Sequence, residues 1–276
     1  MTTDAPAKGR AIQWEDVYLP PWVTGAIGGI GLVALWWIIS AVFVTSSGAH
    51  PVPSPPAVII SYFDAGWQFY WRNFSVTLTE AGIGYVWGNV LALLLSALVL
   101  IVPRLEGVAM QLAILTYCVP IVAIGFLAVV LFGAPAVGEP SGTAVFLAAL
   151  SVFFTTVVGA LLGLKSADKT SLDLISVYGG SKLTQLLKVR LIAALPAILN
   201  ALQIAVPAAF LGAVLGEFFG KVEAGVGLAM ILAQQNSDAP LVWGLALASG
   251  AVALAGYGLV GLIARVIAPW SRGSAS

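Results

Sequence analysis

Residues that could carry out chemistry are scarce in this sequence, and they do not form a catalytic set. The chain has one cysteine, Cys118, and one histidine, His50, so an internal disulfide or a Cys-based metal site cannot form. A lone Cys among apolar residues is usually a small hydrophobe, and His50 lies in a Pro-rich segment without a nearby partner. We therefore predict a protein that is not an enzyme, with no metal and no cofactor of its own.

Charged side chains concentrate in one stretch, residues 165–190, between sequences that are strongly apolar. Seven of them lie there: Lys165, Asp168, Lys169, Asp173, Lys182, Lys188 and Arg190. Because the flanking sequence is typical of membrane segments, this stretch is where we expect the chain to meet a soluble partner.

The pattern inside this stretch predicts two short helices joined at a glycine corner. Thr170 followed by Asp173 resembles a capping box, so Thr170 is the expected cap of the first helix. Gly179 and Gly180 break the chain, and Ser181 can cap a second, amphipathic helix that begins at Lys182. From this pattern alone, an ordinary amphipathic surface helix and a docking element are equally good interpretations.

The composition places the chain among all-α membrane proteins. Of its 276 residues, 60% are hydrophobic and only 9% are charged, against about 25% charged in soluble proteins. A charge at the bilayer centre costs about 2.5 to 3.5 kcal/mol on insertion scales, so charge-free runs mark the spans. They predict six transmembrane helices: 22–44, 81–102, 109–132, 142–164, 195–218 and 241–264.

The distribution of Lys and Arg predicts the orientation of these spans. With the N-terminus inside, ten of the 12 Lys and Arg residues fall on the cytoplasmic side, and only Arg72 and Lys221 fall outside. The expected layout is a cytoplasmic tail (1–21), a first span (22–44), an extracytoplasmic Pro-rich loop with an interfacial helix (45–75), a five-span core (76–268) and a cytoplasmic tail (269–276). The net charge of zero gives no reason to expect nucleic acid as a partner.

Several residues inside or near the spans are candidates for a transport path or gate. Pro120 is expected to kink the third span, and Tyr117 and Asn200 are further lining candidates. Glu217, at the end of the fifth span, is interpreted first as an interfacial acid paired with Lys221 at i+4, and second as a gate residue. The uncharged segment 224–237 is too short to span and is expected to cap the outer mouth.

Small residues are frequent in the spans, among them Gly82, Gly84 and Gly88 in the second. Close packing of helix backbones is the usual reason for small residues in membrane helices, and we expect it here. Sliding of helices during transport is the alternative.

The sequence DLISVYGGSKLTQLLKVRLIAALP resembles the EAA motif of binding-protein-dependent ABC transporter permeases. Asp173 stands at the acidic position, Gly179 at the glycine and Pro196 at the closing proline, whereas Leu174 and Ile175 replace the usual alanines. The segments VPSPPAV, VTLTEAGIGYVWGNVLALLLSALV and GEFFG with GVGLAMI are similar to the nitrate, sulfonate and taurine branch of these permeases.

This resemblance implies a pair of permease subunits, a homodimer, with a cytoplasmic ATPase docked under each and a solute-binding protein outside. The chain has no phosphate-binding Gly-x-x-x-x-Gly-Lys-Ser/Thr loop, so ATP and Mg²⁺ would be bound by the partner. The implied coupling helix lies between spans 4 and 5. Its expected ATPase-coupling residues are Thr170, Asp173, Gly179, Gly180, Ser181, Lys182 and Pro196.

The same resemblance implies import of a small solute across the bacterial cell (inner) membrane. An aliphatic sulfonate, taurine or a nitrate-like anion is the first expectation. A vitamin or vitamin precursor, such as riboflavin or a thiamine pyrimidine, is the alternative. Ion-coupled secondary transport is a second alternative, although such transporters usually bury ionisable residues at mid-membrane, whereas the predicted spans are free of charge across their middle and Glu217 lies at a span end.

Overall fold

The computed structural model describes residues 20–43 and 51–270, which are largely helical and contain no strand. A 3₁₀ turn (Pro103–Leu105) follows Ile101, and a π-helical turn (Leu186–Arg190) runs up to Leu191. The helices are α1 (Pro21–Val42), α2 (Pro55–Ile101), α3 (Glu106–Cys118), α4 (Ile121–Phe132), α5 (Gly142–Lys165), α6 (Lys169–Val177), α7 (Lys182–Gln185), α8 (Leu191–Phe219), α9 (Val226–Gln235) and α10 (Ala239–Ile267).

Parts of the predicted layout fall outside the described residues. These are residues 1–19 of the N-terminal tail, residues 44–50 with the end of the first span and His50 in the loop after it, and the tail from residue 271. The chain divides into two compact units, Met1–Val58 and Ile59–Ser276. In the first unit, the indole N–H of Trp36 on α1 donates a hydrogen bond of 3.0 Å to the carbonyl of Pro53.

Helix α5 is the centre of the second unit. One side of it packs against α2, where the backbones meet at Gly84 and Gly88, and another packs against α8 at Gly212 and Gly216. The core residues around α5 are mostly small or β-branched, which allows close approach of helices. One buried cluster joins α2, α5, α8, α9 and α10, and a second joins α2, α3 and α5.

The described residues include five helices long and apolar enough to cross a membrane, or six if a bent helix pair forms one span. This agrees with the all-α membrane protein predicted from composition. The bent pair is the predicted third span: instead of a kinked helix, α3 and α4 meet at 93° across Pro120. Proline removes a backbone donor, and here the helix ends at Cys118 and restarts at Ile121, a full break.

Two other boundaries differ from expectation. The predicted interfacial helix and second span are one element, α2, interrupted only at Gly66, which has φ 73° and ψ 161°. The fifth span begins earlier than residue 195, because α7, the π-helical turn and α8 follow one another without a loop. The predicted mouth segment 224–237 contains α9, which begins after Gly225.

Candidate functional site

The polar stretch folds as a helical elbow, which we define as residues 165–190. It starts at the end of α5 and runs directly into α8. At its α5 end, Lys165 forms an ion pair with Glu106 at the start of α3, which joins the elbow to a second spanning element. A displacement of the elbow would therefore be passed to α5 and α8 without an intervening flexible loop.

The first elbow helix, α6, is capped by Asp168 and not by Thr170, so the predicted cap is wrong by two residues. The Asp168 carboxylate accepts hydrogen bonds from the backbone N–H of Ser171 at 3.0 Å and from the Ser171 hydroxyl at 3.2 Å. These bonds, first among them the one from the Ser171 N–H, hold the pKa of Asp168 below its ordinary value because they stabilise the charged form.

The glycine corner is a Schellman-type helix end. The N–H of Gly180 donates to the carbonyl of Ile175 at 2.8 Å, and the N–H of Gly179 donates to that of Ser176 at 3.0 Å. Gly179 has φ +75°, a left-handed conformation that glycine adopts without steric cost. At Gly180, a Cβ atom would lie only 2.4 Å from Ile175 Cγ2, so the corner has no room for a side chain there.

The second elbow helix is capped as predicted, because the backbone N–H of Thr184 donates to the Ser181 hydroxyl at 3.3 Å. Gln185 then joins the two helices: its amide Nε2 donates to the carbonyl of Leu172 at 3.0 Å and to the hydroxyl of Ser176 at 2.6 Å. Sequence reasoning did not single out Gln185. A glutamine on the polar side of an amphipathic helix carries no signal that it crosslinks two elements.

The elbow presents an apolar surface on α6. Tyr178 and Val177 are each 83% exposed, and Leu174 is also exposed, whereas Ile175 packs under the corner. Asp173 lies on α6 and is exposed. Lys182 is the first residue of α7. Pro196 lies inside α8, one turn past its start, so it does not end the elbow as the motif suggests.

A second polar group lies at the opposite end of α8, about 40 Å from the elbow at 1.5 Å per residue. We call it the acid cluster: Asn73, Thr77 and Glu80 on α2, Glu217 on α8, and Gly225–Gly227 at the start of α9. Its members belong to elements that are far apart in sequence, and most are buried.

Glu217 is 1% exposed and does not pair with Lys221, so the predicted i+4 ion pair is wrong. Its Oε1 accepts a 2.5 Å hydrogen bond from the Thr77 hydroxyl, and its Oε2 accepts one of 2.6 Å from the N–H of Gly227. The N–H groups of Val226 and Gly225 donate to Thr77 Oγ1 at 2.9 Å and to Asn73 Oδ1 at 3.1 Å. These bonds attach α9 to both α2 and α8.

Glu80 was not among the sequence-predicted site residues, because it directly precedes the charge-free run of the second span and was interpreted as the polar end of that span. In the structure it is 1% exposed. Its Oε1 accepts a 2.7 Å hydrogen bond from the backbone N–H of Ser141, the cap of α5, and Glu80 lies about one helical turn from Thr77, which binds Glu217. The acid cluster thus also includes the start of α5.

The candidate path residues do not gather at one site. Tyr117 is exposed and stacks on Phe154 of α5 with ring centroids 4.6 Å apart. Pro120 marks the break between α3 and α4. Asn200 lines a cavity of about 250 Å³ between α8 and α10, roughly 25 Å along α8 from Glu217. No group of three or more His, Cys, Asp or Glu within the described ranges could hold a metal ion.

Comparison with known proteins identifies the family. Residues 84–273 match the family described as binding-protein-dependent transport system inner membrane component. A protein of Haemophilus influenzae named as a probable ABC transporter permease is 30% identical over 83% of this chain and 90% of its own length. The formylaminopyrimidine transport permease ThiX of Halalkalibacterium halodurans is 26% identical over 86% of this chain and 91% of its own.

SsuC of Bacillus subtilis, a permease protein named for aliphatic sulfonates transport, is 25% identical over 90% of this chain and 88% of its own. The family match over residues 84–273 covers the elbow, α8 with Glu217, and the segment before α9. The helical spans and these relatives agree, and the chain is a member of the ABC transporter permease family of binding-protein-dependent transport systems.

Proposed function

We propose that this chain is the membrane-spanning permease subunit of an ABC importer and that its 165–190 elbow docks on an ATPase subunit that hydrolyses ATP. The observation that carries the proposal is the elbow: a short helix, closed at both ends by hydrogen bonds, with an exposed apolar surface and continuous with two spanning helices. Family membership supports the ATP-driven class, and ion-coupled secondary transport has no support from the relatives.

The elbow is suited to transmit force because it is internally rigid. The Asp168 cap, the Schellman corner and the Gln185 bonds fix α6 relative to α7. Leu174, Val177 and Tyr178 are exposed apolar groups that a groove on the ATPase could bury. Since α7 leads into α8, rotation of α6 by the ATPase would move α8 and with it the acid cluster.

The assembly that we propose has two copies of this chain, two ATPase subunits that bind ATP and Mg²⁺, and an extracytoplasmic solute-binding protein. It lies in the bacterial inner membrane with both termini cytoplasmic. The excess of Lys and Arg in the loops assigned to the inside supports this orientation. The acid cluster then lies at the extracytoplasmic end of the bundle.

We expect cysteines at Tyr178 and Val137 to be labelled from opposite sides of the membrane. Both native side chains are 83% exposed, so access is equal and only sidedness differs. In a Cys118→Ala background, a membrane-impermeant maleimide should label Tyr178→Cys only in inside-out vesicles and Val137→Cys only in intact cells. Labelling of both variants from one side would contradict the orientation.

Two solute classes follow from the relatives. The first is an aliphatic sulfonate, taurine or nitrate-like anion, supported by the sequence resemblance and by the name of SsuC. The second is a vitamin precursor such as a formylaminopyrimidine, supported by the name of ThiX. Charge does not decide between the classes: the predicted spans contain no Lys or Arg to select an anion, but Arg265 in the last turn of α10 lines the same cavity as Asn200 and offers a positive charge there.

The coupling assignment is tested at Gly179. We expect Gly179→Val to lower ATP-driven uptake at least tenfold while membrane insertion persists, because valine strains the positive φ that the corner needs. Gly179→Asn is the matched control, since asparagine tolerates the left-handed conformation. Proteoliposomes would contain the variant with the P-loop ATPase and solute-binding protein that we expect to be encoded beside it, and both solute classes would be offered.

Normal uptake and ATP hydrolysis by the valine variant would contradict the docking role of the corner. Uptake of one solute class by the native protein would assign the substrate, and uptake of neither would contradict both candidates.

A further inference from the structure

The acid cluster contains two buried carboxyl groups: Glu217 accepts a hydrogen bond from Thr77, and Glu80 lies about one helical turn from Thr77 on α2. Two ionised carboxylates side by side in a buried site repel strongly, so such a pair needs either a cation or a proton between them. The hydrogen bonds around the two groups distinguish these alternatives.

Glu217 is placed as the ionised member, because both of its oxygens already accept hydrogen bonds. The Thr77 hydroxyl donates to Oε1 at 2.5 Å, and its contact with the Asn73 carbonyl is longer, at 3.2 Å. The Thr77 oxygen itself accepts from Val226 N–H. On the other side Gly227 N–H points at Glu217 Oε2, where a carboxylic proton would clash with it.

Glu80 is placed as the protonated member, because one of its oxygens has no donor. Ser141 N–H donates to Oε1, whereas Oε2 is buried and has no hydrogen-bond partner among the described residues. A buried oxygen without a donor is costly for a carboxylate. If Oε2 carries a proton, it becomes a donor itself, and the neighbouring Glu217 carboxylate is the acceptor that this donor needs.

No charged group of the described residues forms an ion pair with either carboxyl group. Arg72 on α2, Glu139 before α5 and Glu223 after α8 line the same cavity as Glu80. Neither Arg72 nor Lys221 forms an ion pair in the described part of the chain. The α5 start contributes only Ser141, and α9 has no titratable residue.

We infer that Glu80 and Glu217 form a proton-binding site in which one proton, on Oε2 of Glu80, is shared with the Glu217 carboxylate. The cavity of about 280 Å³ that Glu80 lines gives the site a route to the aqueous phase. The proton holds together α2, the start of α5, the end of α8 and the loop before α9. Its release would leave two adjacent buried carboxylates and weaken the attachment of α9, so the cluster should loosen as pH rises.

Infrared difference spectroscopy of the purified full chain in lipid nanodiscs tests where the proton is. A protonated buried carboxyl gives a C=O stretching band above the amide region, and we expect native protein to have this band at neutral pH. Glu80→Gln should abolish it, while the glutamine amide can still donate to Glu217 and accept from Ser141 N–H. Glu139→Gln, a change in the same cavity, should leave the band intact.

Absence of the band in native protein, or its persistence in Glu80→Gln, would overturn the assignment. Circular dichroism of each variant verifies that it is folded before its spectrum is compared with that of native protein.

Thermal unfolding provides an independent readout. The Tm of native protein should fall as pH is raised through the titration of the pair, because a second buried charge then appears. Glu80→Gln should lose this component of the pH dependence, and Glu139→Gln should retain it. An unchanged pH dependence in Glu80→Gln, or a Tm that rises with Na⁺ in place of the response to pH, would refute the proton site.

Discussion

Replacing Gly84 with valine is expected to prevent α2 from packing on α5 and so to abolish the folded protein. A Cβ atom at residue 84 would lie 2.4 Å from the Cβ of Ala148 and 2.6 Å from the carbonyl oxygen of Val145. Relief would require α5 to move, but its other side is equally close to α8: a Cβ at Gly216 would lie 2.3 Å from the Ala144 Cα. Overpacking usually costs about 1 to 3 kcal/mol, and a contact with backbone leaves little scope for repacking.

The control is Gly82→Val, two residues earlier on the same helix. A Cβ at Gly82 has nothing within 4 Å, so this change tests the same side chain and the same helix propensity without the contact. Size-exclusion chromatography and thermal unfolding in detergent should give a monodisperse, stable Gly82→Val protein and an aggregated or strongly destabilised Gly84→Val protein. Equal stability of the two variants would show that the α2–α5 contact is not close.

The outcome for these glycines illustrates what the sequence could and could not predict about the fold. Charge-free runs located α5 and α10 to within a few residues, because insertion costs act on composition alone. The small-residue pattern indicated close packing, but Gly84 packs and Gly82 does not, since the helix face depends on tertiary contacts. At Pro120 the sequence indicated a bend, and its size, 93°, depends on how α3 and α4 pack.

In the candidate site, too, local sequence predicted some features, whereas others depend on tertiary contacts. The Gly179 corner and the Ser181 cap follow from backbone requirements within a few residues, so sequence reasoning found them. Thr170 and Asp168 are both good caps two positions apart, and local pattern favoured the wrong one. For Glu217, sequence offered only a neighbour, Lys221, whereas the actual partner, Thr77, is 140 residues away.

Substitution of Gly225 by alanine is expected to detach α9 from α8. Gly225 has φ 142° and ψ 159°, a region that only glycine populates readily, and strain there costs on the order of 1 to 3 kcal/mol. The added Cβ would also lie 2.4 Å from the Glu217 Cδ. Glu217 would have to leave the N–H of Gly227 and the hydroxyl of Thr77, which leaves buried polar groups without partners.

Gly66→Ala is the control that has the backbone strain but no close contact of the new methyl group. Gly66 has φ 73° and ψ 161°, in the same glycine-favoured region, but a Cβ there has nothing within 4 Å. Hydrogen exchange at the amides of Val226 and Gly227 should become at least tenfold faster in Gly225→Ala and stay at the native rate in Gly66→Ala, while both lose backbone stability. If exchange at these amides is unchanged in Gly225→Ala, the Glu217 carboxylate does not hold α9.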